Sequence, residues 1–225
     1  MLNSLSTNES IALKEEASFI RFKTLGFYLI LLAVPGSFIN NLPLQGVAYE
    51  GVKGLSWFTY FMLVTLCFKD IRSFLTPLWN VKAFKKPRTY LWMFLSLILP
   101  YTLLHGCLYF EVLLNKDFVF YFKNQLLYAS SWSKTLEVAV LTPIWEEFVF
   151  RGILLWMLVR FMKPYWAVGI TSIVFGVIHS SDIWVITILA GCLLTLTAYK
   201  TKSILPSIVA HSLWNLYMVQ LILYF

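Results

Sequence analysis

Long apolar runs separated by short charged connections set the pattern of this chain, and the runs are continuous rather than alternating. Seven can be drawn: Leu25 to Ile39, Trp57 to Phe68, Tyr90 to Phe110, Trp132 to Val159, Tyr165 to His179, Ile183 to Tyr199 and Ile204 to Tyr224. A membrane-crossing helix needs about 20 predominantly apolar residues, whereas a barrel strand alternates over about ten. The pattern predicts an all-α, polytopic transmembrane helix bundle with about seven spans. The first run is interrupted by Pro35-Gly36, where a kink is expected. The second and fifth runs are short.

The connections add orientation. Residues 1–24 mix Glu9, Glu15 and Glu16 with Lys14, Arg21 and Lys23, too polar for a signal peptide and suited to a short interfacial helix. A polar connection around Glu50 and Lys53 is expected between the first two spans. Residues 69–88 are the most basic connection, with Lys69, Arg72, Lys82, Lys85, Lys86 and Arg88 against Asp70. Apolar Ile71, Phe74, Leu75, Leu78 and Trp79 between them suit either a segment lying on an anionic membrane surface or a plain cytoplasmic loop. With the N-terminus in the cytoplasm, inside segments hold 13 basic residues and outside segments 4. This bias favours N-in, C-out. The expected organisation is one membrane domain, 1–225, with a polar segment over 1–24.

Composition points the same way. Of 225 residues, 59% are hydrophobic and 13% charged, and the mean hydropathy is +0.73. An average soluble domain is about 45–50% apolar and about 25% charged. The net charge of +7 lies between apolar runs, as orientation signals do, so no nucleic-acid partner is expected. Cys67, Cys107 and Cys192 sit inside apolar runs at unrelated spacings, which is neither a disulfide nor a zinc framework.

Candidate chemistry begins in the fourth run, at P-I-W-E-E-F-V-F-R-G, residues 143–152. A charge near the bilayer centre costs roughly 2.5–3.5 kcal/mol on insertion scales. Such residues persist where they pair, face a protein interior or carry out chemistry. Glu147 and Arg151 are an i,i+4 pair in the favourable order, acid before base. Helical neighbours point about 100° apart, so Glu146 and Glu147 are not expected to address the same point. Glu146 is left without a local counter-charge, a setting that suits a proton-transferring base.

All three histidines lie in apolar runs. His179 closes F-G-V-I-H, with Phe175 one turn earlier, and His211 opens H-S-L-W-N, one turn before Asn215. Counted from the cytoplasmic ends at about 1.5 Å per residue, Glu146, His179 and Asn215 fall at roughly 18–21 Å and His211 at roughly 12 Å. One site shared by three helices is therefore permitted. Glu146 could take a proton from water, His179 orient that water, and His211 and Asn215 donate to an oxyanion on a scissile carbonyl. Alternatively, Glu146, His179 and His211 could hold a catalytic zinc, although no H-E-x-x-H helix is present. Glu137, near the outer end of its span, reads as an interfacial acid, His105 as a packing residue and Asp182 as a loop residue.

E-E-F-V-F-R (146–151), F-G-V-I-H (175–179) and H-S-L-W-N (211–215), each within an apolar run and in this order, resemble the three motifs of the CPBP family of intramembrane proteases. That family includes the CAAX prenyl endopeptidase of the endoplasmic reticulum and bacterial bacteriocin-processing or immunity (Abi-like) proteins. The resemblance covers residues 130–220, the expected catalytic core. It implies Glu146 as the water-activating glutamate with His179 beside it, His211 and Asn215 on the oxyanion, and Glu147 and Arg151 as accompanying charges. It also implies a glutamate-dependent enzyme without a cofactor, in preference to a zinc enzyme. Some members have eight spans, and this chain departs from them with seven. The expected partners are a protein or peptide substrate and the lipid bilayer, and the expected location is the bacterial cytoplasmic membrane. The rival reading is a non-proteolytic scaffold or immunity protein, or a proton-coupled carrier, though a carrier's internal symmetry is not visible.

Overall fold

The computed structural model describes residues 20–40, 47–124, 126 and 132–219, and among these residues it is all-helical. The expected interfacial helix over 1–24 lies almost wholly outside them. Helices α1 (Phe22–Asn40) and α2 (Val47–Cys67) pair first. Helix α1 runs on through Pro35-Gly36. The polar connection expected around Glu50 and Lys53 is instead the first part of α2. The stretch contains no proline, and two isolated charges impose no backbone penalty that would stop a helix.

The basic segment is folded. Helix α3 (Lys69–Leu75) is followed by two 3₁₀ turns, Thr76–Leu78 and Val81–Lys85. Ile71, Phe74 and Leu75 are buried in the main core cluster with Phe61, Phe148 and Ile153. Its six basic residues stay exposed. The plain-loop reading of 69–88 is thereby corrected: Ile71, Phe74, Leu75 and Leu78 are buried against protein while Trp79 stays exposed, and the backbone N–H of Ile204 donates to the Leu78 carbonyl at 3.0 Å.

Helix α4 (Pro87–Phe110) and the short α5 (Lys116–Lys123) follow, the latter capped by Asn115, whose side chain accepts from the Asp117 N–H. Next comes an unbroken helical rod over 132–161. It consists of α6 (Trp132–Leu136), a π segment (Glu137–Leu141), α7 (Thr142–Glu147), a second π segment (Phe148–Leu154) and α8 (Leu155–Phe161). Helices α9 (Pro164–Val177), α10 (Trp184–Thr201) and α11 (Leu205–Met218) complete the described fold. Asp182 lies in a 3₁₀ turn, Ser181–Ile183, between α9 and α10.

Two helical stretches among the described residues, Pro87–Phe110 and Ser181–Thr201, are long and apolar enough to cross a membrane. At about 1.5 Å per residue, 24 residues reach about 36 Å, against a hydrocarbon thickness of about 30 Å. Shorter apolar helices cover Phe22–Val34, Val52–Cys67 and Pro164–Val177. Leu91, Phe94, Ile173 and many other large apolar side chains face outward. So many exposed large apolar side chains are unusual on a water-soluble monomer, and lipid is the solvent that suits them.

Polar side chains and small residues knit the helices together. Ser96 on α4 meets Thr197 on α10 at 2.9 Å, both buried. Helices α9 and α10 approach closely at two glycines. A Cβ on Gly191 would stand 2.9 Å from the Phe175 ring, and one on Gly176 would meet Ile188, including its backbone at 3.0 Å. Small residues allow such contact where lipid offers no hydrophobic drive between helices.

Candidate active site

Proline chemistry shapes the rod just before the acid pair. Pro143 has no N–H and its ring crowds the preceding turn, so a regular α-helical ladder cannot run through it. Upstream the rod widens into the π segment Glu137–Leu141, in which the Thr142 N–H reaches back five residues to the Glu137 carbonyl. The next rung of that ladder would run from residue 143 to Val138, and proline cannot make it. The Val138 carbonyl instead accepts from Asn215 Nδ2 of α11 at 2.8 Å. A backbone carbonyl only accepts, so this contact fixes which way the Asn215 amide faces.

Helix α7 then presents Glu146 and Glu147 inward, with Glu146 6% exposed and Glu147 fully buried. Arg151, in the second π segment, is also fully buried. Its Nη1 donates to Glu147 Oε1 at 2.7 Å, its Nε to Thr195 Oγ1 at 3.3 Å and its Nη2 to the Gly191 carbonyl at 3.3 Å. The Phe175 ring lies 4.0 Å from the guanidinium carbon, in cation–π range. One arginine thus joins the rod to α9 and α10, and the i,i+4 pair read from the sequence forms.

His211 of α11 is buried against both acids. Its Nδ1 donates to Glu147 Oε1 at 2.8 Å, and its Nε2 stands 3.6 Å from Glu146 Oε2. The expectation that the two acids address separate points is corrected here. The carboxylates do diverge, but the two ring nitrogens face opposite ways, so one imidazole spans both. Glu146 and His211 fall at different depths by the α-helical count but meet at 3.6 Å, and the shape of the rod accounts for part of the difference. The π segment Phe148–Leu154 lies between Glu146 and Arg160, and a π turn packs an extra residue into each turn. The same number of residues therefore covers less length than an α-helical count gives.

The Nδ1–H of His211 is committed to a carboxylate, so the neutral ring turns its Nε2 lone pair toward Glu146. Glu146 Oε2 is buried and has no hydrogen-bond partner among the described residues. The groups whose charge acts on Glu146 are His211, His179, Arg151 and Glu147. His179 sits just past the end of α9, half-buried. Its Nδ1 donates to the Phe175 carbonyl at 2.7 Å, which leaves Nε2 as the acceptor of the neutral ring. Phe175 is the hub of the cluster, its ring 4.6 Å from the His179 ring and 5.7 Å from the His211 ring.

The structure therefore gathers Glu146, Glu147, Arg151 and His211 in direct contact or within 3.6 Å, with His179 across Phe175. Asn215 is placed one turn along α11, on the Val138 carbonyl. Among the described residues, no three His, Cys, Asp or Glu side chains are grouped to hold a metal ion. Sequence reasoning missed Thr195 and Gly191, whose signal was a hydroxyl and a glycine four residues apart on one helix face. It also missed the part played by Pro143. Glu137 pairs with Lys134 at 3.1 Å and its side chain lies against Gly54 of α2. His105, read as a packing residue, does pack against the rings of Tyr101, Phe122 and Tyr217, but at an exposed position and hydrogen-bonded to Tyr217. It sits on the outward face of α4, where an amphipathic partner satisfies its ring.

Comparison with known proteins adds a partial family match. The model of the Rce1-like family, type II CAAX prenyl endopeptidase Rce1-like, matches residues 128–217, less than half of the chain. All three motifs fall inside that stretch, and the match bears out the resemblance read from them. No curated protein and no solved structure matches the chain.

Proposed function

With residues 128–217 as an Rce1-like segment of an integral membrane protease family, we propose that this protein hydrolyses a peptide bond of a membrane-associated protein or peptide, using water activated by Glu146. The observation that carries the reading is the Glu146 carboxylate: buried, with Oε2 unpartnered among the described residues and 3.6 Å from a histidine held by a second acid. A carboxylate with a free lone pair and a nearby proton acceptor is equipped to take and pass on a proton.

In the proposed reaction a water molecule hydrogen-bonded to Glu146 loses a proton to Oε2 as its oxygen bonds to the scissile carbonyl carbon. The carbonyl π electrons move to oxygen, giving a tetrahedral oxyanion. The proton passes from Glu146 to His211 Nε2, and the resulting imidazolium is stabilised by Glu147 at Nδ1. Its Nε2–H faces the oxyanion and then protonates the departing amine as the C–N bond breaks. Glu147 thus positions His211 and sets its tautomer, and Arg151 neutralises Glu147. The Nε2 lone pair of His179 is available to orient the water. No step is assigned to a metal.

The test begins by comparing membrane proteomes with and without the gene, to find precursors that accumulate. Purified protein should cleave such a precursor, and Glu146→Gln should abolish cleavage while leaving the protein folded. Removal of a general base typically costs about 10²–10⁴-fold. Full activity in Glu146→Gln refutes the mechanism. Loss of activity with a chelator, restored by zinc, would assign the reaction to the metal reading instead.

A further inference from the structure

We infer that Asn215 and Pro143 act as a matched pair, in which the Asn215 amide replaces the backbone N–H that Pro143 lacks, making Asn215 a positioning residue for Glu146. The inference rests on the reading of Glu146 as the reacting base for its functional consequence, but not for its structural part.

The geometry is specific. In the π segment Glu137–Leu141 the ladder runs five residues back, as the Thr142 N–H to the Glu137 carbonyl shows. The following rung is vacant at its donor end, because residue 143 is proline. Its acceptor end, the Val138 carbonyl, is filled from another helix by Asn215 Nδ2 at 2.8 Å. Three residues past the proline stands Glu146. The π segment adds an extra residue to its turn and so sets the rotation of everything after it, Glu146 and Glu147 included. An unpaired carbonyl here would leave a buried or lipid-facing acceptor unsatisfied, and the segment would relax toward another geometry. Asn215 therefore fixes the direction of the acid pair without touching either acid.

An amide that served only as an oxyanion donor would have no reason to depend on residue 143, so the pair can be tested by rescue. Asn215→Leu should lower the folding equilibrium by up to about 150-fold, the upper end of the cost of orphaning an acceptor, since this one is only half-buried. It should lower kcat for the identified precursor with little change in KM. Pro143→Ala restores an N–H that can reach Val138. In that background Asn215→Leu should change both thermal stability and kcat by less than about threefold in the corresponding constants.

Should Asn215→Leu fail to fold alone, recovery of a folded protein in Pro143→Ala/Asn215→Leu supports the pairing, and a double variant that stays unfolded overturns it. Equal losses from Asn215→Leu in the wild-type and Pro143→Ala backgrounds overturn it as well, and would return Asn215 to the oxyanion. The stability arm needs no substrate. If Glu146→Gln proves fully active, the protease mechanism fails while the structural pairing is still decided by melting.

Discussion

Removing Arg151 probes the buried network most directly. Its guanidinium is fully buried and bonded to Glu147, Thr195 and the Gly191 carbonyl. Arg151→Met keeps much of the volume but leaves the Glu147 carboxylate with His211 as its remaining hydrogen-bond donor on Oε1. Breaking a buried ion pair by deleting one partner typically costs about 3–5 kcal/mol, against about 0–1 kcal/mol for an exposed pair. For a chain of this size 1 kcal/mol moves Tm by about 2–4 °C, so the variant should melt about 6–20 °C below the wild type.

Glu147→Gln should be destabilised for the converse reason, since it strands the guanidinium. The double variant Arg151→Met/Glu147→Gln removes both charges and keeps a carbonyl to accept from His211 Nδ1. Because a buried pair replaced by neutral groups is often close to neutral in stability, the double should recover most of the loss. The resulting coupling should be at least about 2 kcal/mol. Thermal unfolding of the purified protein in a single detergent, followed by tryptophan fluorescence, provides the readout. Single variants that melt within about 2 °C of wild type, or a double whose loss is the sum of the two, would sink the argument.

Other perturbations test the scaffold around the site. Gly176→Ala would drive a Cβ into Ile188, including its backbone at 3.0 Å, so it should cost about 1–3 kcal/mol in the same melt. Leu113 adopts φ 61° and is exposed, so Leu113→Gly should stabilise by about 1 kcal/mol by relieving a left-handed conformation. Lys202, just beyond α10, lies over the Trp156 and Tyr199 rings at 4.7 and 4.3 Å, and burial draws its ammonium below the usual lysine value, with Lys200 adding to the shift. Between that lowered value and about 10.4 the unfolded chain binds more protons, so stability should rise with pH there. Melts across that window should show the rise in wild type and not in Lys202→Met.

Much of the site could be read from the sequence, because its charges stand out against an apolar background. Glu147 and Arg151 follow from i,i+4 spacing, and the grouping of Glu146 with two histidines follows from motif order and rough depth. Two causes account for the rest: counting along straight α-helices, and reading polar residues as connections. A π segment lies between Glu146 and Arg160, so a straight α-helical count overstates the depth of Glu146. Helix-capable charges within 47–53 and inward-facing apolar residues within 69–88 were assigned to connections on polarity alone. The anchors of Arg151 on α10, Gly191 and Thr195, carry no charge, and only tertiary packing reveals what they hold.

The arrangement also explains how one short stretch can carry three ionisable residues inside an apolar rod. Each isolated charge there would cost roughly 2.5–3.5 kcal/mol. Arg151 and Glu147 cancel, and the Nε and Nη2 of the arginine each donate to a group on α10, so that pair carries no net charge although Glu147 Oε2 has no hydrogen-bond partner among the described residues. Glu146 is different, because its nearest cationic candidate, His211, is already oriented by Glu147 and stops 3.6 Å short of it. Moving His211 into hydrogen-bond range of Glu146 would stretch its 2.8 Å bond to Glu147, unless the rod also rotated. That rotation is set upstream by Pro143 and held from α11 by Asn215, the same helix that carries His211. A single helix thus fixes both the direction of the acid and the place of the base facing it. The 3.6 Å gap between them is maintained by backbone geometry and leaves the Glu146 Oε2 lone pair uncommitted.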